Sequence, residues 1–361
     1  EQPLPMSEEL AILKTGAVSL LKKLISTPSF SREEAETASV LESFFTGKGI
    51  PAKRYLNNVW ALNKYFDATK PSLLLNSHHD TVKPNRNYTL DPFTPIEKDG
   101  RLYGLGSNDA GGCLVSLIAV FMHYYGRKDL AYNLVFAATA EEEISGVNGI
   151  EKLLPELPPL SCGIVGEPTL MNMAVAERGL MVLDVLTTGR AGHAAREEGE
   201  NALYKALADI DWFRNYQFEK ISPLLGKVKM TVTVIDTENK AHNVVPAQCH
   251  FVVDARVNEL YTFEEVLETV HKHVKSEVKP RSTRLRSTSI PMDHPLVKAG
   301  LQLDRSYYGS PTTSDKALMP FPTLKMGPGD SARSHTADEY IHMHEIQEGI
   351  DLYIQLLNQV L

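Results

Sequence analysis

The segment Leu73-Leu74-Leu75-Asn76-Ser77-His78-His79-Asp80 joins an apolar run directly to three ionisable side chains. A short apolar run of this kind is typical of a strand buried on both faces, as in the centre of a parallel sheet. Charged groups at the end of a buried strand are costly unless something pairs with them, and a metal ion is one such partner. The segment therefore predicts a central strand with a functional site at its carboxyl end.

Similar clusters recur along the chain. Two of them also follow apolar runs, at residues 134–138 and 164–165. Histidine and carboxylate side chains without cysteine are the ligands of a catalytic zinc-type site rather than a structural one. The four further clusters are Asn108-Asp109-Ala110-Gly111-Gly112, Glu141-Glu142-Glu143, Gly166-Glu167-Pro168 and Ser334-His335-Thr336.

The bulk composition limits the classes of partner. A chain of 361 residues is long for one hydrophobic core, so two domains are expected. The net charge of -8, without a basic stripe, argues against nucleic acid and against anionic membranes. No apolar stretch approaches the roughly 20 residues of a membrane span.

The sequence also favours a cytoplasmic location. Its three cysteines have no motif spacing, which indicates reduced thiols. The opening Glu1-Gln2-Pro3-Leu4-Pro5 has neither the basic nor the apolar part of a signal peptide, although a leader removed earlier stays an open alternative.

The order of predicted elements divides the chain. Strands and helices alternate up to residue 166, which predicts an α/β fold with a mostly parallel sheet flanked by helices. Between residues 178 and 290 the order becomes βαββαβ, the ferredoxin-like α+β motif. We expect a catalytic domain formed by residues 1–177 and 291–361 and interrupted by an inserted lid or dimerisation domain at 178–290.

Finer predictions concern helix starts and strands. Capping boxes at Ser31–Glu34 and Thr262–Glu265 each predict a helix. Within the insertion, strands are expected at residues 180–188, 228–236, 250–257 and near 283–289, with a helix from about 201 to 213.

The clusters suggest a division of roles. The alternation of side chains along a strand places His78 and Asp80 on one side and His79 on the other. Asp80 is then suited to accept the second N–H of a ligating His78. Adjacent carboxylates in Glu141-Glu142-Glu143 allow one to bind metal and the next to activate water. Taken singly, each cluster also fits a plain alternative: a hydrogen-bonded histidine, a helix N-cap aspartate or a solvated acidic run.

Together and in this order, the five motifs resemble the co-catalytic dizinc aminoacylase and carboxypeptidase family. That family includes acetylornithine deacetylase, succinyl-diaminopimelate desuccinylase and glutamate carboxypeptidases. The resemblance spans essentially the whole chain. It is strongest to the acetylornithine deacetylase-like branch, through Gly327-Pro328-Gly329 and the segment Ser334-His335-Thr336-Ala337-Asp338-Glu339-Tyr340.

The resemblance implies a role for each motif. Asp109 would bridge two Zn²⁺ ions, for which Co²⁺ can substitute. His78 and Glu167 would complete one metal site, and Glu143 and His335 the other. Glu142 would be the general base, and the Asp109-Ala110 peptide would be cis. Relatives commonly have Lys-Gly where this chain has Gly111-Gly112, which places the contacts at that helix start in question.

Substrate contacts are also implied by the resemblance. His193 would help to stabilise the oxyanion, and in dimeric relatives the matching histidine reaches the partner subunit's site, so a homodimer through the inserted domain is expected. Arg256 and Asn243 would bind the substrate carboxylate, although Arg256 paired with Asp254 is an equally open interpretation. The same pocket would be lined by Thr313, Ser314 and Gly329.

The implied activity is zinc-dependent hydrolysis of the amide of a small N-acyl amino acid. N-acetyl-L-ornithine or N-succinyl-L-ornithine would yield L-ornithine in arginine biosynthesis. Alternatives are a succinyl-diaminopimelate desuccinylase and a dizinc dipeptidase or carboxypeptidase. A catalytically idle metal-binding module is disfavoured because Glu142 is present. A flavodoxin-like nucleotide-binding protein is disfavoured because no phosphate-binding glycine motif follows the first strand.

Overall fold

The computed structural model describes residues 6–361, so the opening segment considered above lies outside the described residues. The described chain forms two compact units, one of residues 6–175, 290–308 and 314–361, the other of residues 176–289 and 309–313. Its α-helices are α1 Met6–Ile25, α2 Ala35–Gly47, α3 Gly112–Tyr124, α4 Ile150–Leu153, α5 Ala202–Asn215, α6 Phe263–His273, α7 Pro295–Gln302 and α8 Met343–Asn358.

The strands alternate with these helices along both units. They are β1 Lys53–Tyr55, β2 Asn58–Leu62, β3 Ser72–His78, β4 Ile96–Lys98, β5 Arg101–Tyr103, β6 Asn133–Thr139, β7 Cys162–Val165, β8 Met173–Glu177, β9 Gly179–Thr188, β10 Gly192–His193, β11 Lys229–Thr237, β12 Val244–Val245, β13 Gln248–Val257, β14 Glu277–Pro280, β15 Thr288–Ser289, β16 Tyr307–Ser310, β17 Thr323–Lys325 and β18 Tyr340–His342.

The first unit is built around a mostly parallel sheet, as predicted. Its order is β1-β2-β6-β3-β7-β17-β8, and the central strands β6, β3, β7 and β17 are parallel to one another. All seven residues of β3 and of β6 are buried, which confirms that these apolar runs are central strands. Parallel neighbours end at one edge of the sheet, so the residues that follow β3, β6 and β7 lie close together.

Helices cover this sheet on both faces. Leu74 of β3 and Val135 of β6 pack with Ile150 and Leu153 of α4 in one apolar cluster. On another part of the sheet, Phe45 of α2 contacts the rings of Phe121 and Phe136, which belong to α3 and β6. The almost wholly buried α3 also packs against α1 and α8. The site-bearing strand ends are thereby attached to a rigid core.

The second unit has its own antiparallel sheet and core. The chain order is β9, α5, β11, β13, α6, β14, and the sheet order is β11-β13-β9-β14. Burial alternates along β9, which confirms the predicted half-buried strand. Apolar residues of α5, α6 and one sheet face form a single cluster that includes Phe213, Phe251 and Phe263. The assignment of this unit as a lid or dimerisation domain remains a prediction.

Two local predictions were wrong. Ser31 does not cap α2, which begins at Ala35 and has no side-chain cap; instead, its hydroxyl donates to Asp80 Oδ2 at 2.6 Å. The last strand of the antiparallel sheet of the second unit is β14, and residues 283–289 contribute only β15, which pairs with β8 instead. The Thr262–Glu265 capping box, by contrast, is confirmed at the start of α6.

Over residues 6–361, no helix combines the length and the hydropathy that crossing a bilayer requires.

Candidate metal centre

Four of the five predicted ligands lie at or just after strand ends, or just before the start of α3, in the first unit. His78 is the last residue of β3, Glu143 follows β6, and Glu167 follows β7. Asp109 precedes α3, and the Asp109-Ala110 peptide is cis, as the resemblance implied. His335 comes from the loop before β18, some 190 residues away from Glu143, whose Oε2 lies 3.0 Å from its Nε2.

The five side chains form two groups that share one aspartate. His78 Nε2 lies 3.2 Å from Asp109 Oδ1 and 3.5 Å from Glu167 Oε1. On the other side, His335 Nε2 lies 3.2 Å from Asp109 Oδ2 and 3.0 Å from Glu143 Oε2. In each group the potential ligand atoms all lie within 4.8 Å of one another. Each oxygen of Asp109 therefore faces a different group.

These separations suit divalent metal ions. Ligands about 2.0 to 2.2 Å from a tetrahedral zinc ion lie about 3.3 to 3.6 Å from one another. The four separations given above are close to that range. In addition, Glu167 Oε1 is buried and accepts no hydrogen bond from the described residues. Because a buried carboxylate oxygen without a partner is costly, the donor set fits a metal ion at this point.

The charge balance supports the same interpretation. Five carboxylates and two imidazoles converge here, and burial raises the pKa of Glu167 to about 8. Burial lowers the pKa of His78, but the charges of Glu142 and Glu167 outweigh it and hold the pKa well above its usual range. Hydrogen bonds to Asp109 and Glu143 raise the pKa of His335 to about 10. Two divalent cations would offset this excess of negative charge.

Asp80 orients His78, as the strand pattern predicted, and it also holds the backbone of the glutamate loop. His78 Nδ1 lies 2.9 Å from the main-chain oxygen of Asp80 and 3.2 Å from its Oδ1. The Asp80 carboxylate also accepts the backbone N–H groups of Glu142 and Glu143, each at 3.1 Å. One buried side chain thus positions the imidazole and the glutamate loop together.

His79 is separate from this cluster, which confirms the predicted alternation. Its Nδ1 lies 2.7 Å from Thr37 Oγ1, and its Nε2 lies 2.7 Å from the carbonyl oxygen of Asn57. Burial lowers its pKa to about 4, so it is neutral near pH 7. His79 therefore ties β3 to α2 and to the loop before β2.

Glu142 stands beside the first group. Its Oε2 lies 3.3 Å from His78 Nε2, and burial is the main reason that its pKa lies well above the usual range. By contrast, Glu141 faces away, with its Oε1 3.7 Å from Arg32 Nε. The three neighbouring glutamates therefore have three different environments, which composition alone does not reveal.

The predicted substrate residues lie in different parts of the chain. Gly329 has a φ of 94° next to Asn108, whose Oδ1 would be 2.5 Å from an added Cβ. The buried hydroxyl of Ser314 caps the short helix that starts at Asp315. Thr313 Oγ1 donates to the carbonyl oxygen of Arg178 at 3.5 Å.

Arg256, Asn243 and His193 belong to the second unit. Arg256 forms a bidentate pair with Asp254, with distances of 2.7 and 3.1 Å. The alternative in which Arg256 pairs within its own strand is therefore present in the structure. His193 and Asn243 are exposed neighbours, since β10 pairs with β12 and Ala194 N donates to Asn243 O at 2.9 Å. Their contacts with substrate remain predictions.

Sequence reasoning missed two carboxylates that hold the site loops. Glu34, assigned to a helix cap, instead accepts the N–H of Glu141 at 2.8 Å and is fully buried. Glu339 accepts backbone N–H groups of the Asp109 loop and is also buried. A buried acidic residue within a polar stretch of sequence produces no hydrophobic period that would reveal its burial. The one available clue was the position of Glu339 in the motif that contains His335.

Gly111, directly before α3, is closely packed. A Cβ there would lie 2.5 Å from Leu21 Cδ1 and 2.6 Å from the carbonyl oxygen of Gly106. The same oxygen accepts the Gly111 N–H at 2.7 Å. Space for a side chain is therefore absent at this position.

A parallel α/β sheet with two ligand groups that share one carboxylate defines a metal-dependent hydrolase with a two-metal type of site. The chain belongs to the peptidase family M20/M25/M40, whose family model matches residues 74–359, and is a metal-dependent amidohydrolase of that family.

Named relatives include enzymes with different substrates. The chain is 25% identical to the acetylornithine deacetylase of Proteus mirabilis, over 94% of this chain and 95% of that protein. It is also 25% identical to succinyl-diaminopimelate desuccinylase 2 of a Ruegeria species, over 72% of this chain and 69% of that protein.

Solved structures share the fold. Aminopeptidase PepT of Bacillus cereus has a TM-score of 0.76 at 19% identity and covers 96% of this chain, with 98% of its own chain matched. The YXEP protein of Bacillus subtilis, described as a dinuclear metal binding peptidase, has a TM-score of 0.75 at 16% identity; the match covers 97% of this chain and 99% of that one. Both similarities confirm the predicted α/β architecture.

Proposed function

We propose that the chain hydrolyses the amide bond of an N-acyl amino acid, N-acetyl-L-ornithine or N-succinyl-L-ornithine, and releases L-ornithine for arginine biosynthesis. The main support is the pair of ligand groups that meet at Asp109 with Glu142 beside them. His78, Asp109 and Glu167 would hold one Zn²⁺, and Asp109, Glu143 and His335 the other, with Co²⁺ as a substitute.

The chain's own residues then have separate tasks. Bound metal would polarise the acyl carbonyl and make a water molecule easier to deprotonate. Glu142 accepts the proton of the attacking water as the new C–O bond forms, and then delivers it to the nitrogen of the leaving amine as the C–N bond breaks. Asp80 keeps His78 and the amides of Glu142 and Glu143 in place throughout. The products are a free carboxylate and the amino acid.

Residues of the second unit are proposed for substrate recognition because of the family resemblance. His193 would donate a hydrogen bond to the oxyanion, and Arg256 with Asn243 would bind the substrate carboxylate. A guanidinium suits a carboxylate because it donates two parallel hydrogen bonds. Thr313, Ser314 and Gly329 would line the same pocket.

A homodimer through the second unit is part of the proposal. Strand β11 lies at one edge of that sheet, and Val234 and Ile235 on it are 50% and 47% exposed. An exposed apolar edge strand is suited to pair with a second copy. Sedimentation velocity would reveal a monomer if this is wrong. A cytoplasmic location is proposed as well, consistent with three free cysteines.

Substrate choice is tested by a side-by-side assay of the metal-loaded enzyme. The panel contains N-acetyl-L-ornithine, N-acetyl-L-citrulline, N-succinyl-L-ornithine, N-succinyl-diaminopimelate and two small dipeptides. We expect the highest kcat/KM for an N-acyl ornithine. A preference for N-succinyl-diaminopimelate would move the chain to the desuccinylases, and a preference for dipeptides would make it a peptidase.

A further inference from the structure

Glu339 is buried next to the proposed metal centre, yet it belongs to neither ligand group. Its relative exposure is 2%. It lies four residues after His335 and immediately before β18, which pairs with β5. A buried carboxylate needs partners, so its contacts indicate what it does.

The backbone N–H groups that donate hydrogen bonds to the Glu339 carboxylate are all in one short segment. Its Oε1 accepts the N–H of Gly106 at 3.1 Å, and its Oε2 accepts those of Asn108 and Asp109, both at 2.9 Å. Its main-chain oxygen accepts the N–H of Gly104 at 2.9 Å. Both oxygens of the buried carboxyl group therefore accept hydrogen bonds from backbone N–H groups. Four amides of the Asp109 loop are thus fixed by a single residue.

The other backbone N–H groups of the loop that donate hydrogen bonds, those of Leu105, Ser107 and Gly111, have different acceptors. Asp109 and Ala110 have φ values of -121° and -126°, so the segment does not continue the helix and cannot satisfy these N–H groups by itself. Asn108 anchors the other side, since its Oδ1 accepts the N–H of Asp330 at 3.0 Å. Without the Glu339 carboxylate, buried amides would lose their acceptors or the loop would move.

Movement of this loop would affect both ligand groups at once. Asp109 Oδ1 faces His78, and Asp109 Oδ2 faces His335, at 3.2 Å in each case. We propose that Glu339 is a positioning residue that sets the place of the Asp109 carboxylate between the two metals. The inference depends on the proposed function, in which Asp109 is the shared ligand.

The neighbouring residue offers a matched control. The Asp338 carboxylate also accepts three hydrogen bonds, from Thr89 N and Leu90 N at 3.0 Å and from Thr89 Oγ1 at 2.6 Å. Its partners lie in a segment that holds none of the proposed ligands. Asp338→Asn therefore tests the loss of a comparable carboxylate from the same motif.

The experiment compares the full-length wild type with Glu339→Gln, Glu339→Asp and Asp338→Asn. Zn²⁺ and Co²⁺ affinities are measured by competition with a chromophoric chelator, and the visible spectrum of the Co²⁺ form reports the coordination geometry. We expect Glu339→Gln to weaken both sites by about 10- to 100-fold, as substitutions behind metal ligands do, and to shift the Co²⁺ spectrum. Asp338→Asn should stay within about 3-fold of wild type at both sites, well below that range.

Several results would overturn the inference. If Glu339→Gln had wild-type affinities for Zn²⁺ and Co²⁺ and a wild-type Co²⁺ spectrum, the inference would be wrong, even if its activity or melting temperature fell. A loss of metal affinity at only one of the two sites would also contradict the inference, because Asp109 faces both ligand groups. If Glu339→Gln does not fold, Glu339→Asp is judged by the same criteria, since its shorter side chain cannot reach all three amides. A wild-type protein that binds neither metal would instead refute the proposed function.

Discussion

At the scale of single residues, the site depends on carboxylates that do different jobs in similar surroundings. Asp80 accepts the N–H groups of Glu142 and Glu143 and lies beside His78 Nδ1. Among the described residues, none donates a backbone hydrogen bond to the Glu142 carboxylate as the glutamate loop does to Asp80, and Glu142 Oε2 lies 3.3 Å from His78 Nε2. Its freedom from such contacts is what suits it to exchange a proton.

The role of Glu142 leads to a direct prediction. Glu142→Gln should retain both metals, because none of the proposed ligands is removed, yet kcat should fall by about 10²- to 10⁴-fold when the base is lost. Metal content by mass spectrometry and steady-state kinetics measure the two effects. Glu141→Gln is the matched control, since Glu141 faces Arg32, and it should keep most of the activity. Near-normal turnover in Glu142→Gln would refute the assignment.

Glu34 leads to a prediction about pH. Burial is the main reason that its pKa is raised from 4.5 to about 7 in the fold. The folded state therefore keeps a proton that the unfolded state loses, and this residue makes stability fall as the pH rises between about 4.5 and 7. Glu34→Gln is always neutral and can still accept the Glu141 N–H.

The measurement is the melting temperature of metal-free protein at pH 5 and pH 8. The increase in melting temperature of Glu34→Gln relative to wild type should be larger at pH 8 than at pH 5. The exposed neighbour Glu33 serves as the control, and Glu33→Gln should differ from wild type equally at both pH values. An equal effect of Glu34→Gln at the two pH values would contradict the proposed protonation of Glu34.

At the scale of elements, strand ends and helix starts place the ligands. The central strands were predictable because β3 and β6 are continuous apolar runs that are buried throughout. Capping was less predictable. Thr262–Glu265 forms its box, but Ser31 lies outside α2, which begins at Ala35, and its hydroxyl donates to the Asp80 carboxylate instead. A local motif is reliable only where no tertiary partner competes for it.

The start of α3 gives a prediction at this scale. Gly111→Ala should destabilise the protein by about 1 to 3 kcal/mol, because its Cβ would meet Leu21 and the Gly106 carbonyl. Gly16→Ala on α1 is the control, since nothing lies within 4 Å of its Cβ, and it should stabilise by up to about 1 kcal/mol. Urea unfolding measures both. Equal effects of the two substitutions would contradict the packing argument.

At the scale of the whole molecule, the described chain consists of two units with separate cores. The groups that could hold a metal, among the residues that the structure describes, all come from the first unit. Metal that binds only the folded state stabilises it by RT ln(1 + [L]/Kd), about 2.7 kcal/mol per site at 100 times Kd. The stabilisation by bound metal should therefore appear in the first unit, which supplies the ligands.

Hydrogen exchange of the full chain with and without chelator tests this prediction. Removal of metal should speed exchange in peptides that contain residues 104–112, 141–145 and 331–340, whereas peptides from α5 and α6 should be unchanged and serve as the internal control. Activity should be lost with the chelator and return with Zn²⁺ or Co²⁺. Uniform loss of protection in both units, or full activity without metal, would contradict the two-metal proposal.

The sequence by itself determined the α/β class, the central strands and the order of the five clusters, because burial on both faces and polar strand ends are local patterns. Only the tertiary structure decided which carboxylates face the ligand groups and which hold the backbone. Glu339 reaches the Asp109 loop across 230 residues, and Glu34 reaches Glu141 across 107. Contacts between such distant segments depend on how the elements pack, and no spacing along the chain encodes them.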